Sequence, residues 1–196
     1  TKLRFYSSKG GVVEANGFKT NAGHYIKDFK RWLSDRNVKG KIALVPMPSS
    51  LPRECNLSFV MNVLCVWWAN WINKEPDLPY SAYVWDVLER FEPTVSSHSM
   101  PGVRTIDRHI KTIGLFESAQ SNLSSDTTAI ILIDDVWTSG TQMNSAGTIL
   151  KHHNFIPDSV DFLAYTLVRT THPGFLAELD FEEILKLFDS AQKKSD

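Results

Sequence analysis

Thr127 to Lys151 reads TTAIILIDDVWTSGTQMNSAGTILK. Ala129 to Ile133 is a short, β-branched-rich apolar run without polar alternation, the pattern of a parallel strand covered by helices on both faces. The run ends in Asp134 and Asp135, which places two adjacent carboxylates at the carboxyl end of a central strand. That edge of an open α/β sheet is where ligands bind, at a topological switch point. Neighbouring carboxylates repel each other, and the pair is costly unless a polyol, a metal or a cation uses it.

The residues that follow, Val136-Trp137-Thr138-Ser139-Gly140-Thr141-Gln142, set small hydroxyl side chains around one glycine before a helix begins. Successive backbone N–H groups in such a loop turn inward, and with the positive end of a helix dipole behind them they cradle a phosphate without a lysine. Carboxylates for hydroxyls, a few residues before a phosphate cradle, match the shape of a sugar phosphate. An ordinary buried strand with a surface turn accounts for Ile130 to Ile133 but leaves the acid pair unexplained.

In these residues the chain resembles the phosphoribosyl diphosphate (PRPP) motif of the type I phosphoribosyltransferases: an apolar strand, two acids, then a Thr/Ser-Gly loop. The resemblance implies that Asp134 and Asp135 hold the ribose 2- and 3-hydroxyls while Thr138 to Gln142 wrap the 5-phosphate, with Val136 and Trp137 also counted among the PRPP-binding residues. Gln142 departs from the pattern, since the family usually has a small hydroxyl residue second after the glycine. Trp137 stands inside the cradle, where its ring either stacks a nucleobase or plugs the space beneath the loop.

Upstream, Lys41 to Val45 (KIALV) is a second buried-type strand that runs into Pro46-Met47-Pro48-Ser49-Ser50. Two prolines in three residues end the ladder and stiffen the turn. In the family this is the place of the pyrophosphate loop, so the resemblance assigns Pro48, Ser49, Ser50 and Arg53 to pyrophosphate. The text V-P-M-P, and T-L-V-R-T near Arg169, is closest to the ComF-like (competence-protein) branch, although that branch's four-cysteine zinc module is absent.

The remaining chain supplies supporting elements. Leu3 to Ser7 and Val12-Val13, separated by Lys9-Gly10-Gly11, suggest an N-terminal hairpin. A helix from Ala22 to Arg36, capped by Asn21, presents Tyr25, Phe29, Trp32 and Leu33 on one face. Leu57 to Ile72 is a helix rich in Trp67, Trp68 and Trp71; a core role is the simpler reading, with a dimer or partner surface as the second. Tyr80 to Leu88 reads as one strand, followed by a loop from Arg90 to Gly102. Arg104, Arg108 and Lys111 form either a solvated face or, as the resemblance implies, a catalytic lid whose Arg104 or Arg108 closes over pyrophosphate. Gln142 to His153 is helical, and His152-His153 suits the helix end better than a metal. Val160 to Val168 is a further strand, and Leu176 to Ala191, within a C-terminal region at 173–193, is an amphipathic helix that either caps the domain or docks a partner.

With 196 residues, 42% hydrophobic and 22% charged, the chain suits one α/β domain with its core at about 41–171. A formal net charge of -1 supplies no global field toward nucleic acid or an anionic membrane. Cys55 and Cys65 make no metal cluster, no stretch reaches the roughly 18 apolar residues of a membrane helix, and TKLRFYSSKGG has no signal-peptide core, so a cytoplasmic protein is expected. The family resemblance implies a parallel sheet flanked by helices under a small hood made from the N-terminal hairpin and C-terminal region. It also implies a reaction: displacement of pyrophosphate from PRPP by a nitrogenous base, with Mg²⁺ held mainly by substrate oxygens and water and otherwise by Asp134 and Asp135. The alternative is a regulator or effector subunit that keeps the PRPP or nucleotide site without turnover and acts through a protein or nucleic-acid partner. Neither GxGxxG nor GxxxxGK[ST] occurs, which argues against a common dinucleotide or P-loop domain.

Overall fold

The computed structural model describes residues 4–6, 12–14, 16–52, 60–93, 109–116, 123–137, 140–152 and 156–169, with no side-chain detail for 4–6, 12–14, 16–21, 137 and 169. The strands are β1 (Arg4–Tyr6), β2 (Val12–Glu14), β3 (Gly40–Pro46), β4 (Tyr80–Val84), β5 (Leu88–Arg90), β6 (Ile113–Leu115), β7 (Thr127–Trp137) and β8 (Asp161–Arg169). Among the described residues the helices are α1 (Asn16–Asp35), α2 (Val60–Ile72) and α3 (Thr141–His152).

Four strands form one sheet in the order β4-β3-β7-β8, all parallel. From β3 the chain passes through α2 to β4 on one side. It then crosses back past β3 to β7 and continues through α3 to β8 on the other side. Reversing the direction of growth sends right-handed crossovers over opposite faces of the sheet. The core residues divide accordingly. Ile42, Leu44, Ala129, Ile131 and Ile133 pack with α1 and α2, while Ala43, Val45, Ile130 and Leu132 pack with α3 and β5–β6. The alternation along β3 and β7 is thus apolar on both sides, as the unbroken KIALV and AIILI runs require.

On the first face, Phe29 stacks on Trp68 with centroids 4.7 Å apart and meets the ring of Tyr165 edge-on at 4.9 Å. Trp68 Nε1 donates to Ala22 O at 3.2 Å, satisfying the indole where it is buried. Asn73, just beyond α2, exchanges two 2.8 Å bonds with the backbone of Ala82 and thereby fixes α2 to β4.

Several sequence expectations change. Helix α1 starts at Asn16, so Asn21 lies inside it rather than capping it; an internal asparagine costs only a few tenths of a kcal/mol, which the buried Ala22–Leu33 face outweighs. The expected strand Tyr80 to Leu88 is two strands. Trp85-Asp86-Val87 breaks it, and β5 leaves the main sheet to pair antiparallel with β6, Leu88 opposite Leu115 and Arg90 opposite Ile113. Arg90 therefore belongs to a strand and not to the loop. The N-terminal hairpin forms as expected, with Phe5 opposite Val13. Arg53, Cys55, Arg104, Arg108, the 94–102 loop and the C-terminal helix lie outside the described residues.

Candidate functional site

Strand β7 is paired on both sides only as far as Ile133, whose partner in β3 is Pro46. Met47 N still donates to Ile133 O at 2.9 Å, and there β3 turns away. From Asp134 to Trp137, β7 runs on beside β8 alone, in register with Thr166 to Arg169. A crevice therefore opens between the carboxyl ends of β3 and β7, at the position where the strand order reverses. The acid pair stands at its mouth.

Alternation along β7 puts Asp134 on the same side as Ile130 and Leu132, toward α3 and β5, and Asp135 on the other. Asp134 is half-buried and Asp135 is exposed. Asp135 N donates to Asp134 Oδ1 at 3.0 Å, turning the backbone back onto its neighbour's carboxylate. Burial first, and the charge of Asp135 second, push the Asp134 carboxyl up to about 7; the Arg90 guanidinium pulls the other way but loses. The first acid is therefore poised to change charge near neutrality.

The strand runs further than the sequence implied, since Val136 and Trp137 are ladder residues and not part of a loop. Thr138 and Ser139 lie outside the described residues. Gly140 is buried at φ 70, a left-handed conformation that a side chain would strain. Its carbonyl accepts from Asn144 N at 2.9 Å, so α3 begins immediately after it. Ser145 Oγ donates to Thr141 O at 2.8 Å within the first turn.

Gln142, the departure from the family pattern, donates its side-chain amide to Pro48 O at 2.7 Å across 94 residues of sequence. The loop it reaches is also gripped from the other side. Arg90 Nε donates to Ser49 O at 2.6 Å, and Arg90 Nη1 donates to Thr112 Oγ1 at 2.6 Å. Within the loop, Ser49 Oγ donates to Leu51 O at 2.7 Å and accepts from Leu51 N at 3.3 Å, a local closure typical of serine turns. Pro48, Ser49 and Ser50 are thus brought to the same sheet edge as Asp134, Asp135 and the start of α3. Sequence reading missed Arg90. Its one local signal is parity, since it alternates with Leu88 on the buried side of β5.

Among the described residues no three His, Cys, Asp or Glu side chains form a group able to hold a metal ion. Two neighbouring carboxylates suit a hard, oxygen-seeking cation only when a ligand brings further oxygens. No helix among the described residues is long and apolar enough to cross a membrane.

No protein-family model and no curated protein matches the chain. Solved structures with a similar chain course include a hypoxanthine phosphoribosyltransferase from Staphylococcus aureus. In its tetragonal form it has 12% identity and a TM-score of 0.41, covering 89% of this chain and 68% of that one. In its orthorhombic form the identity is again 12%, the TM-score 0.38 and the coverage 78% and 74%. An adenine phosphoribosyltransferase is similar at 13% identity and a TM-score of 0.42, covering 91% of each chain.

Proposed function

We propose that the chain binds PRPP with Mg²⁺ and transfers the phosphoribosyl group to a nitrogenous base, releasing pyrophosphate. The observation that carries this reading is the Asp134–Asp135 pair at the switch-point crevice, flanked by the 46–50 loop and the start of α3. Two carboxylates side by side offer acceptors for a vicinal diol, and hydroxyl donors would stabilise the ionised form that burial now disfavours. The start of α3 would take the 5-phosphate on backbone N–H groups, with Thr138, Ser139, Gly140 and Thr141 as the residues proposed to hold it. The Pro48–Ser50 loop would face the leaving pyrophosphate. Mg²⁺ would neutralise that diphosphate's charge, with substrate oxygens and water completing a shell to which the acid pair contributes. Arg104 and Arg108 remain the proposed lid cations.

The test is phosphorus NMR of PRPP with Mg²⁺ and protein, with and without a mixture of nucleobases, beside an Asp134→Asn/Asp135→Asn variant. Pyrophosphate release that requires both a base and the aspartates is the expected result and names the acceptor. PRPP that passes through unbound and unchanged would sink the proposal. Line broadening without turnover would favour the second reading, a PRPP-binding effector subunit. That reading draws on α2, where Val60 and Val66 are exposed and Trp67 and Trp71 are only half-buried, a face suited to a protein partner or a second copy.

A further inference from the structure

Arg90 is 1% exposed, among the largest fully buried side chains of the described residues, in the three-residue strand β5. Burying a guanidinium costs several kcal/mol unless its donors are well placed. Here Nη1 reaches across the β5–β6 pair to Thr112 and Nε reaches the 46–50 loop at Ser49 O, while Gln142 reaches the adjoining carbonyl of Pro48 from the first turn of α3. Two side chains from two different elements thus hold consecutive carbonyls of one short loop.

We infer that Arg90 and Gln142 are positioning residues that clamp the 46–50 loop and set its distance from the start of α3, so that the site selects a ligand carrying two anionic groups. The inference rests on the PRPP reading, in which the loop faces the diphosphate and the helix start faces the 5-phosphate. The peptide unit supplies the physical link. No cis bond occurs among the described residues, so each clamped carbonyl directs the next residue's N–H the opposite way. Fixing Pro48 O orients the Ser49 N–H, and fixing Ser49 O orients the Ser50 N–H. The course of the loop is set in this way before any anion arrives, which lowers the entropy lost on binding. Arginine is required over lysine because Nε and Nη1 serve two acceptors in a rigid fork. Gln142 links the loop directly to the helix that carries the other anion, so the two subsites hold their separation.

The experiment uses the full chain and two variants, Gln142→Met and Arg90→Lys, titrated calorimetrically with Mg²⁺–PRPP, Mg²⁺–pyrophosphate and ribose 5-phosphate. The clamp predicts that each variant weakens PRPP and pyrophosphate about tenfold and leaves ribose 5-phosphate within about twofold. Equal weakening of all three ligands by Gln142→Met would put that side chain on the 5-phosphate and overturn the clamp. Wild-type binding of all three ligands by both variants would overturn it as well. If Arg90→Lys does not fold, Gln142→Met at its half-buried surface position decides alone. Wild-type chain that binds none of the three ligands overturns the PRPP reading, and the clamp with it; wild-type chain that binds PRPP beside variants equal to it overturns the clamp alone.

Discussion

Two aspartates at opposite ends of β7 have opposite surroundings. Asp126, just before the strand, accepts from Ser124 Oγ and from Lys41 Nζ at 3.1 Å, and Lys41 also donates to Ser124 Oγ at 2.9 Å. These bonds hold the Asp126 carboxyl below its usual range. Asp134, near the other end, is pushed up to about 7 by burial first and by the neighbouring charge of Asp135 second. The rest of the amino edge follows Asp126: Tyr83 and Thr127 share a 2.7 Å hydroxyl contact, and Thr128 Oγ1 donates to Lys39 O at 2.6 Å. One edge is closed by its own side chains, whereas at the other the described residues leave Asp134 beside a like charge, which Arg90 offsets only in part. A fold retains such a repulsion when a ligand relieves it, so the carboxyl edge is where binding is expected and the amino edge is where stability resides.

The largest effect should come from removing both carboxylates. Asp134→Asn/Asp135→Asn is expected to weaken Mg²⁺–PRPP by about a hundredfold or more, from the loss of two charge-assisted acceptors. Calorimetric titration checks it, and a variant that binds as tightly as wild type would break the contrast between the edges.

Next in size is the amino edge itself. Gly40 begins β3 at φ 82, its N–H donates to Pro79 O at 2.9 Å, and a Cβ there would lie 2.6 Å from Thr128 Cγ2. Gly40→Ala therefore combines a left-handed backbone with a clash against a side chain that is itself tied to Lys39. The expected cost is about 2 kcal/mol of stability, read by urea unfolding, with ligand affinity at the far edge unchanged. A comparable fall in PRPP affinity would show that the two edges are coupled.

Asp134→Asn probes the same strand through pH. Because the folded-state pKa of Asp134 is raised, the native chain holds its proton where the unfolded chain has lost it. Stability from this group is present below about pH 4 and is lost as pH rises through about 7. Asp134→Asn should consequently stabilise the ligand-free protein by about 1–2 kcal/mol at pH 8 and by little at pH 4. Asparagine keeps the acceptor for Asp135 N, so the change isolates charge. A stability difference that does not vary with pH would sink this account.

Much of this architecture was legible because its signals are contiguous. The AIILIDD run announces a doubly covered strand ending in acids, and KIALVPMP announces a strand ending in a stiff turn, each within a few residues. Arg90 was hidden because its meaning depends on partners far along the chain: Ser49, Thr112 and the β6 strand that pairs with it. A three-residue strand leaves too short a period to distinguish from a loop. Gln142 was visible only as a deviation; that its amide crosses to Pro48 is a tertiary fact with no local trace. The boundary of α1 was misplaced for a simpler reason, since Asn21 has capping chemistry that the buried face of the helix overrides.

The smallest effect should come from Lys41, where the comparison is most delicate. Lys41→Met removes the ion pair with Asp126 and the bond to Ser124 while keeping an apolar stem near the Tyr83 ring, over which the ammonium lies at 5.5 Å. The pair is solvent-exposed, so water and salt screen it and the loss of melting temperature should be slight. Its sign with pH must nevertheless oppose that of Asp134. A carboxyl whose folded-state pKa is lowered contributes stability above its unfolded pKa and loses it as pH falls through the folded value. The wild-type advantage over Lys41→Met should therefore be present at pH 7, shrink below about pH 4, and fade in about 1 M salt at any pH. Two aspartates toward opposite ends of β7 whose replacements or partners shift stability in opposite directions with pH would separate the closed edge from the open one without any ligand present.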